Sequence, residues 1–367
     1  MHTTMDITHA GVTLRYENDG LVCETAADVP ATLSKHGVAL LPSVIGVAEQ
    51  AAMNRGMWDT LEHLTSGLLT PVQHADPSTY HSAFELAPNH GGLFQHHSWG
   101  HAQYAWDVRQ NPKVAAPFAA VYGSAANDML VSFDGINCSL GGITPGERRG
   151  VYRGGNWLHI DQRLSEPRFQ CVQAWVTANA VEPGDATLRV LRGSHAHFGD
   201  MAEHFGLTET KVDWCKVTAE QQTWLKERGC VEICVTCPAG SMVLWDSRTV
   251  HSGTEPVPAA SCPPRKAPRT ARNVVYVCMQ PRDTNAKALA RNLAKRRKIF
   301  DPDSPDFLRL ASHWPNKMKL FGRYPRSYGN EPPAGCRQSD PSQHWSFVPT
   351  MPAPALTAHG RRIAGLE

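Results

Sequence analysis

The sequence predicts a mainly β fold, an antiparallel sandwich or barrel with flanking helices, and three observations lead there. Seven short β-type runs crowd into residues 128–282: MLVSFDGIN (129–137), NWLHI (156–160), FQCVQAWVTANAV (169–181), TLRVL (187–191), VEICVTC (231–237), SMVLWD (241–246) and NVVYVCM (273–279). Turn signals such as Pro183-Gly184-Asp185, Gly193-Ser194 and Pro238-Ala239-Gly240 separate most of them. Most neighbouring runs have no helical segment between them, which argues against a βαβ arrangement.

The flanking elements follow from periodicity and caps. Residues 32–41 (TLSKHGVALL) read as a helix end, a glycine break and a short apolar strand. A helix around 48–64 sets Met53, Met57, Leu61 and Leu64 on one buried stripe. Residues 70–101, rich in His, Pro, Gly and Ser, read as irregular loop. A further helix starts at Asn111-Pro112, buries Val114, Phe118 and Val121, and stops at Gly123. The insertion 198–229, with Trp214 and Trp224, looks partly helical and interrupts the β region where a lid would sit. Past 283 comes a basic helix, AKALARNLAKRRKIF (286–300), with Leu289 and Leu293 as its buried side. Lys287, Arg291, Lys295 and Arg296–Lys298 make its charged side, read as a solvated face. Residues 331–367 are Pro-rich and read as a surface wrap or a frayed end. The expected organisation is one structural domain: an N-terminal helical and loop region (1–127), a β core (128–282) and a C-terminal extension (283–367).

Composition narrows the function classes. Of 367 residues, 41% are apolar and 19% charged, ordinary values for a globular chain with a sizeable core. A net charge of +2 gives no global field for nucleic acid or an anionic membrane. No run approaches the ~18 apolar residues of a membrane span. The N-terminus lacks the basic and apolar regions of a signal peptide. Ten scattered cysteines suit reduced thiols, so a cytoplasmic location is expected.

The chemistry rests on His159-Ile160-Asp161. In an extended strand residues i and i+2 point to one face, so imidazole and carboxylate converge on one ion. Two histidines and one carboxylate make the facial triad of non-haem iron, with open positions left for co-substrate and oxygen. A His-x-Asp tripeptide alone is weak: with 18 histidines, about one arises by chance. A second copy, His74-Ala75-Asp76, precedes Pro77 in a loop-like stretch and reads as surface. His159 ends a β-type run, and His251 follows in SMVLWDSRTVHSG as the distal ligand. Arg272, opening the run NVVYVCM, is the candidate cation for the far carboxylate of a 2-oxo acid, since guanidinium pairs bidentately. Arg265 and Arg269 compete for that role from the preceding loop.

These residues resemble the phytanoyl-CoA dioxygenase-like family of Fe(II)/2-oxoglutarate-dependent oxygenases. The resemblance rests on HID (159–161), QAWVTAN (173–179), LRVLRGSH (188–195), VLWDSRTVHSG (243–253), Arg272-Asn-Val-Val-Tyr and the opening KHGVALLPSVIG (35–46). It covers residues 30 to 280 and implies a double-stranded β-helix (jelly-roll, cupin-like) core. It implies Fe(II), with 2-oxoglutarate and O2 as co-substrates and a small organic molecule as substrate. It also assigns 2-oxoglutarate contacts to Ser132 and Trp175. One departure stands out: 20 residues separate His251 from Arg272, longer than the family's usual spacing. Asp161 occupies the position where family halogenases carry a small residue, so hydroxylation or desaturation is expected.

Other signals carry weaker readings. Cys230, Cys234 and Cys237 match the spacing of an iron–sulfur site, yet VEICVT alternates like a strand, so Cys234 reads as a small buried residue. His96, His97 and His101 read as loop packing or a wall of the site's mouth. Trp175 reads equally as barrel filler. Asp246 and Arg248 are candidates to orient His251 or to pair with each other. Three alternatives remain: a zinc hydrolase on the same ligands, a non-catalytic binding barrel, and a nucleic-acid-modifying oxygenase motivated by the basic helix.

Overall fold

In the computed structural model, which describes residues 4–87, 92–140, 157–265, 269–325 and 345–367, the short apolar runs pair into two seven-stranded sheets. The first sheet runs β1 (Met5–His9), β2 (Val12–Glu17), β11 (Val231–Val235), β9 (Leu188–Arg192), β13 (His251–Gly253), β7 (His159–Ile160) and β10 (Cys215–Lys216). The second runs β3 (Val38–Leu41), β12 (Met242–Asp246), β8 (Val172–Thr177), β14 (Arg272–Pro281), β6 (Ile136–Ser139) and β4 (Leu93–Phe94), with β5 (Met129–Val131) also on β14. Strand pairing is antiparallel apart from β2 beside β11.

The two-residue side-chain period decides what faces inward. On β8 and β14, Trp175 lies opposite Tyr276, and Gln173 opposite Cys278. The inner face of the second sheet (Trp175, Val243, Val274) meets Val190, Ile233 and Val235 of the first in one apolar cluster. The alternate residues Ala174, Val176, Leu244 and Val275 point outward, into a larger cluster with the helices. This two-faced burial explains why β8 and β12 read as continuous apolar runs rather than alternating ones.

The expected helices form within a residue or two of their sequence bounds. α1 (Val29–His36) ends at Gly37, whose φ of +73° turns the chain into β3; a Cβ there would lie 2.5 Å from His195 Nδ1. α2 (Val47–Thr65) buries Met53, Met57, Leu61 and Leu64. After α3 (Gln103–Arg109), α4 (Pro112–Tyr122) starts with the Asn111 side chain accepting from the Lys113 N–H and stops at Gly123. Such an N-cap stabilises a helix by about 1 kcal/mol. α4 buries Val114 and Phe118, while Val121 is only partly covered.

Several elements differ from the sequence reading. The β1–β2 hairpin was not anticipated; it turns at Ala10-Gly11, both at positive φ. The run 129–137 splits into β5 and β6, because Asp134 Oδ1 takes the Gly135 N–H at 2.7 Å and closes a local turn. The stretch 70–101 carries a 3-10 segment, Pro77–Leu86, and the short β4. The insertion 198–229 contains α5 (Phe198–His204), β10 and α6 (Ala219–Glu227), and Trp224 stacks on His204 under the Arg228 guanidinium.

The basic helix, α7 (Ala286–Ile299), corrects one assignment. Lys287, Arg291 and Lys295 are exposed, but Arg296 is fully buried and donates to the carbonyls of Val131, Pro315 and Ala364. It is an internal tie for the C-terminal region, not part of a solvated face. Of the Pro-rich tail, 331–344 lies outside the described residues; beyond it Trp345, Met351 and α8 (Ala358–Ala364) pack with Ile363 fully buried. Among the described residues no helix is long and apolar enough to cross a membrane.

Candidate metal centre

β7 and β13 are neighbours in the first sheet, and their register sets His251 directly opposite His159. Asp161 follows two residues after His159. Its Oδ2 lies 3.6 Å from His159 Nε2 and 3.3 Å from His251 Nε2. The three side chains thus offer two nitrogens and one oxygen within 4.8 Å of one another. Among the described residues this is the one group of three or more such side chains so placed. All three are nearly buried, at 5%, 9% and 4% exposure.

Backbone carbonyls set the orientation of both imidazoles. His159 Nδ1 donates to the Trp157 carbonyl at 2.8 Å, and His251 Nδ1 to the Thr249 carbonyl at 2.9 Å. A carbonyl only accepts, so each Nδ1 carries a proton and each Nε2 is left to face Asp161. From the opposite sheet, Gln173 Nε2 donates to Asp161 Oδ2 at 2.8 Å and fixes the carboxylate. Burial pushes the Asp161 carboxyl up, but the neighbouring charges of His159 and His313 hold it well below the usual range. Burial works to lower His159, yet the Asp161 charge outweighs it and raises that imidazole; His251 is lowered by burial and by His159. An anionic oxygen and two convergent nitrogens fit a divalent transition metal, with the remaining positions open.

Arg272 sits at the start of β14, in the second sheet. Its Nε donates to Asn137 Oδ1 at 3.0 Å and its Nη1 to the Ala186 carbonyl. The guanidinium lies 5.4 Å over the Trp175 ring, with the Tyr276 phenol beside it. Trp175 Nε1 is buried and without a hydrogen-bond partner among the described residues. Arg265 and Arg269, the loop competitors, are both tied to Asp185, at 2.8 and 2.9 Å. Of the three, Arg272 is the one with no carboxylate ion pair among the described residues. One face of β8 thus links the two groups: Gln173 holds Asp161 of the triad, and Trp175, two residues on, carries an unpartnered indole N–H beneath the Arg272 cation.

Comparison with known proteins agrees with this arrangement. Residues 33–257 match the phytanoyl-CoA dioxygenase (PhyH) family, well over half of the chain. The chain belongs to that family. A curated relative, "Ava biosynthesis cluster protein O" of Aspergillus versicolor, is 27% identical over 216 residues, 56% of this chain and 63% of the relative. The chain thus spans less than two thirds of that relative's length. A putative oxidoreductase from Salmonella typhimurium LT2 shares the fold at TM-score 0.53 and 14% identity, covering 94% of this chain and 86% of that one. A hypothetical protein from Escherichia coli does so at TM-score 0.52 and 15% identity, covering 94% and 85%. Iron and 2-oxoglutarate fit the family and this ligand set.

Within this PhyH-family fold the remaining sequence candidates take definite places. Ser132 ties β5 to β14: its Oγ accepts the Cys278 N–H at 3.1 Å while its own N–H donates to the Cys278 carbonyl. Asn137 and Tyr276 lie beside Arg272. Period-two counting back from Trp175 to Gln173, and on from Arg272 to Tyr276, would have found two of the missed residues. Asp246 and Arg248 pair with each other at 2.6 Å, and the Thr249 carbonyl orients His251. His96, His97 and His101 bond the carbonyls of Gly322, Leu86 and Arg309, and burial pushes His97 and His101 down to about 3. Cys230, Cys234 and Cys237 are buried, and burial raises all three thiols, Cys237 to about 12. Trp157 and the half-exposed Trp214 stack beside His159, at 5.0 and 5.7 Å between centroids.

Proposed function

We propose that the chain is an Fe(II)/2-oxoglutarate-dependent dioxygenase that hydroxylates a small organic molecule, with a double-stranded β-helix as its core. The observation that carries the proposal is the convergence of His159, Asp161 and His251, with the buried Arg272 over Trp175 on the strand face whose Gln173 holds Asp161. Iron(II) held there, with O2, supplies the oxidation: one oxygen atom goes to a substrate C–H bond and the other to 2-oxoglutarate, which leaves as succinate and CO2. His159 and His251 present Nε2 because their Nδ1 protons are committed to carbonyls. Asp161 supplies the anionic ligand, held in place by Gln173. Arg272 receives the far carboxylate of 2-oxoglutarate, with Asn137 and Tyr276 steering the guanidinium and Trp175 offering its N–H. Trp157 and Trp214 shield the His159 side from water.

A zinc hydrolase would use the same three ligands but has no role for Arg272. The nucleic-acid reading keeps the exposed Lys287, Arg291, Lys295, Arg297 and Lys298 but loses Arg296, which is internal. The nine described cysteines are free thiols, which suits a cytoplasmic setting. The test is an anaerobic titration with Fe(II) and then 2-oxoglutarate, read by the visible charge-transfer band, followed by a succinate-release screen of small metabolites. A band that needs both components supports the proposal. Tight zinc binding with no band and no succinate would overturn it.

A further inference from the structure

The insertion 198–229 supplies a strand that lies directly against the strand of the first metal ligand. β10 pairs antiparallel with β7, with Lys216 opposite His159 and Cys215 opposite Ile160. On its other side β7 pairs with β13, with His251 opposite His159. Lys216, His159 and His251 therefore form one row across three neighbouring strands. Residues opposite each other in an antiparallel pair share a face, with Cα atoms about 4.5–5.5 Å apart.

Packing tells the two faces of this strip apart. Leu158, Ile160 and Val217 are buried with Met201 of α5 and Leu225 of α6, and Cys215 packs against them. The period of two then turns Trp157, His159, Trp214 and Lys216 to the opposite side, that of the metal ligands. The ring contacts agree, since Trp157 and Trp214 each stack on His159. Just before Trp214, the Asp213 carboxylate accepts from Arg163 Nε and Nη2 at 2.8 and 2.9 Å, which clamps the strand to the residue two places after Asp161. What this face presents beside the metal ligands is an indole, 50% exposed, and an exposed ammonium. The Lys216 ammonium has no hydrogen bond or ion pair among the described residues. The nearby cations are already engaged, Arg163 with Asp213, and Lys317 with Gln170 at 2.8 Å and Asp213 at 3.9 Å.

We infer that Lys216 receives the carboxylate of the substrate while Trp214 bears its ring, so that the substrate class is a small aromatic carboxylic acid bound as its anion. One unpaired ammonium suits a single negative charge, and a charge-assisted hydrogen bond holds it. A flat indole with one face in water suits a flat apolar body. Lys216 binds substrate and takes no part in holding the metal. The inference rests on the oxygenase reading, in which Arg272 takes the anion of the co-substrate, so the two anion sites separate by mutation.

The test uses the whole chain loaded anaerobically with Fe(II) and 2-oxoglutarate and, in parallel, metal-free. Both are titrated with phenylacetate, its neutral amide phenylacetamide, the cation phenylethylamine and the non-planar cyclohexylacetate, followed by ligand-observed NMR. An exposed ion pair predicts that phenylacetate binds the loaded chain about fivefold tighter than phenylacetamide. That margin should shrink as salt is added, because an exposed pair is screened. Lys216→Gln should erase the margin and Lys216→Arg keep it, with iron and 2-oxoglutarate affinity unchanged in both. Trp214→Ala should remove the preference for phenylacetate over cyclohexylacetate. Equal or undetectable binding of the acid and the amide by the wild-type chain overturns the proposal without recourse to any variant. So does a margin that survives in Lys216→Gln, which would leave the lysine as a guard of the sheet edge. Phenylethylamine binding tightest, or a Lys216→Gln loss that falls on 2-oxoglutarate instead, overturns it as well. If iron and 2-oxoglutarate fail to bind while the metal-free chain keeps a Lys216-dependent margin, the oxygenase reading falls and this site stands.

Discussion

The chain carries His-x-Asp twice, at 74–76 and at 159–161, and the two copies end in opposite chemical situations. In the first, His74 stacks on Trp58 at 4.3 Å, and the Asp76 carboxylate accepts from Ser78 N–H and Oγ to start a 3-10 segment. Both are exposed, and the carboxylate is lowered by the Ser78 hydrogen bonds rather than by any imidazole. In the second, a strand partner brings His251 opposite His159, carbonyls fix both rings, and Gln173 holds Asp161 from the facing sheet. The tripeptide is the same; the neighbouring strand makes the difference. Local spacing aligns two donors, but a third donor and its supports have to come from elsewhere in the fold.

That comparison breaks most directly at the carboxylates. Asp161→Ala should abolish succinate-forming turnover and strongly weaken iron binding, measured by anaerobic metal titration, while Asp76→Ala leaves both intact. Iron loss in the Asp76 variant alone would put the centre in the wrong half of the chain. The next largest effect is expected at Arg272. Arg272→Ala removes one partner of a buried charge pair, a loss of about 3–5 kcal/mol, so 2-oxoglutarate affinity should fall by two to three orders of magnitude with iron affinity nearly unchanged. Arg269→Ala and Arg265→Ala, whose guanidiniums serve Asp185, are the controls and should bind 2-oxoglutarate as the wild type does.

Smaller effects sharpen the same contrast. Gln173→Leu frees the Asp161 carboxylate, and loss of such a supporting contact typically weakens metal binding about 10–100-fold; an unchanged iron affinity would mean that Gln173 is only filler. At the small end, Asp76→Ala should cost a little thermal stability through the lost Ser78 cap, visible as a slight fall in Tm. A large fall would show that the loop it starts has a structural weight that its exposure does not suggest.

Much of this arrangement was legible from residue order because it depends on local periodicity. The β-type runs, the stripe of α2, the caps of α4 and the pairing of a strand-borne His159 and Asp161 with a later His251 all follow from side-chain spacing along one segment. The N-terminal hairpin was missed although ITHAGVTLRY alternates around a turn; the signal was present and unused. That the Ser132 hydroxyl also accepts the Cys278 N–H follows only from the β5–β14 pairing.

The rest depended on which distant segments meet. Nothing in the order of residues says that Gln173 will reach Asp161 across two sheets, that Asn137 and Tyr276 will steer Arg272, or that Asp185 will claim the other two arginines. Nor could composition tell that Arg296, among five neighbouring basic residues of its helix, would be the one turned inward onto three carbonyls. A periodic pattern fixes which side of a strand or helix is apolar, because burial of that side is favourable wherever it packs. Hydrogen bonds and ion pairs between elements are short-ranged and directional, so their partners exist only once sheet register and helix packing have set every distance.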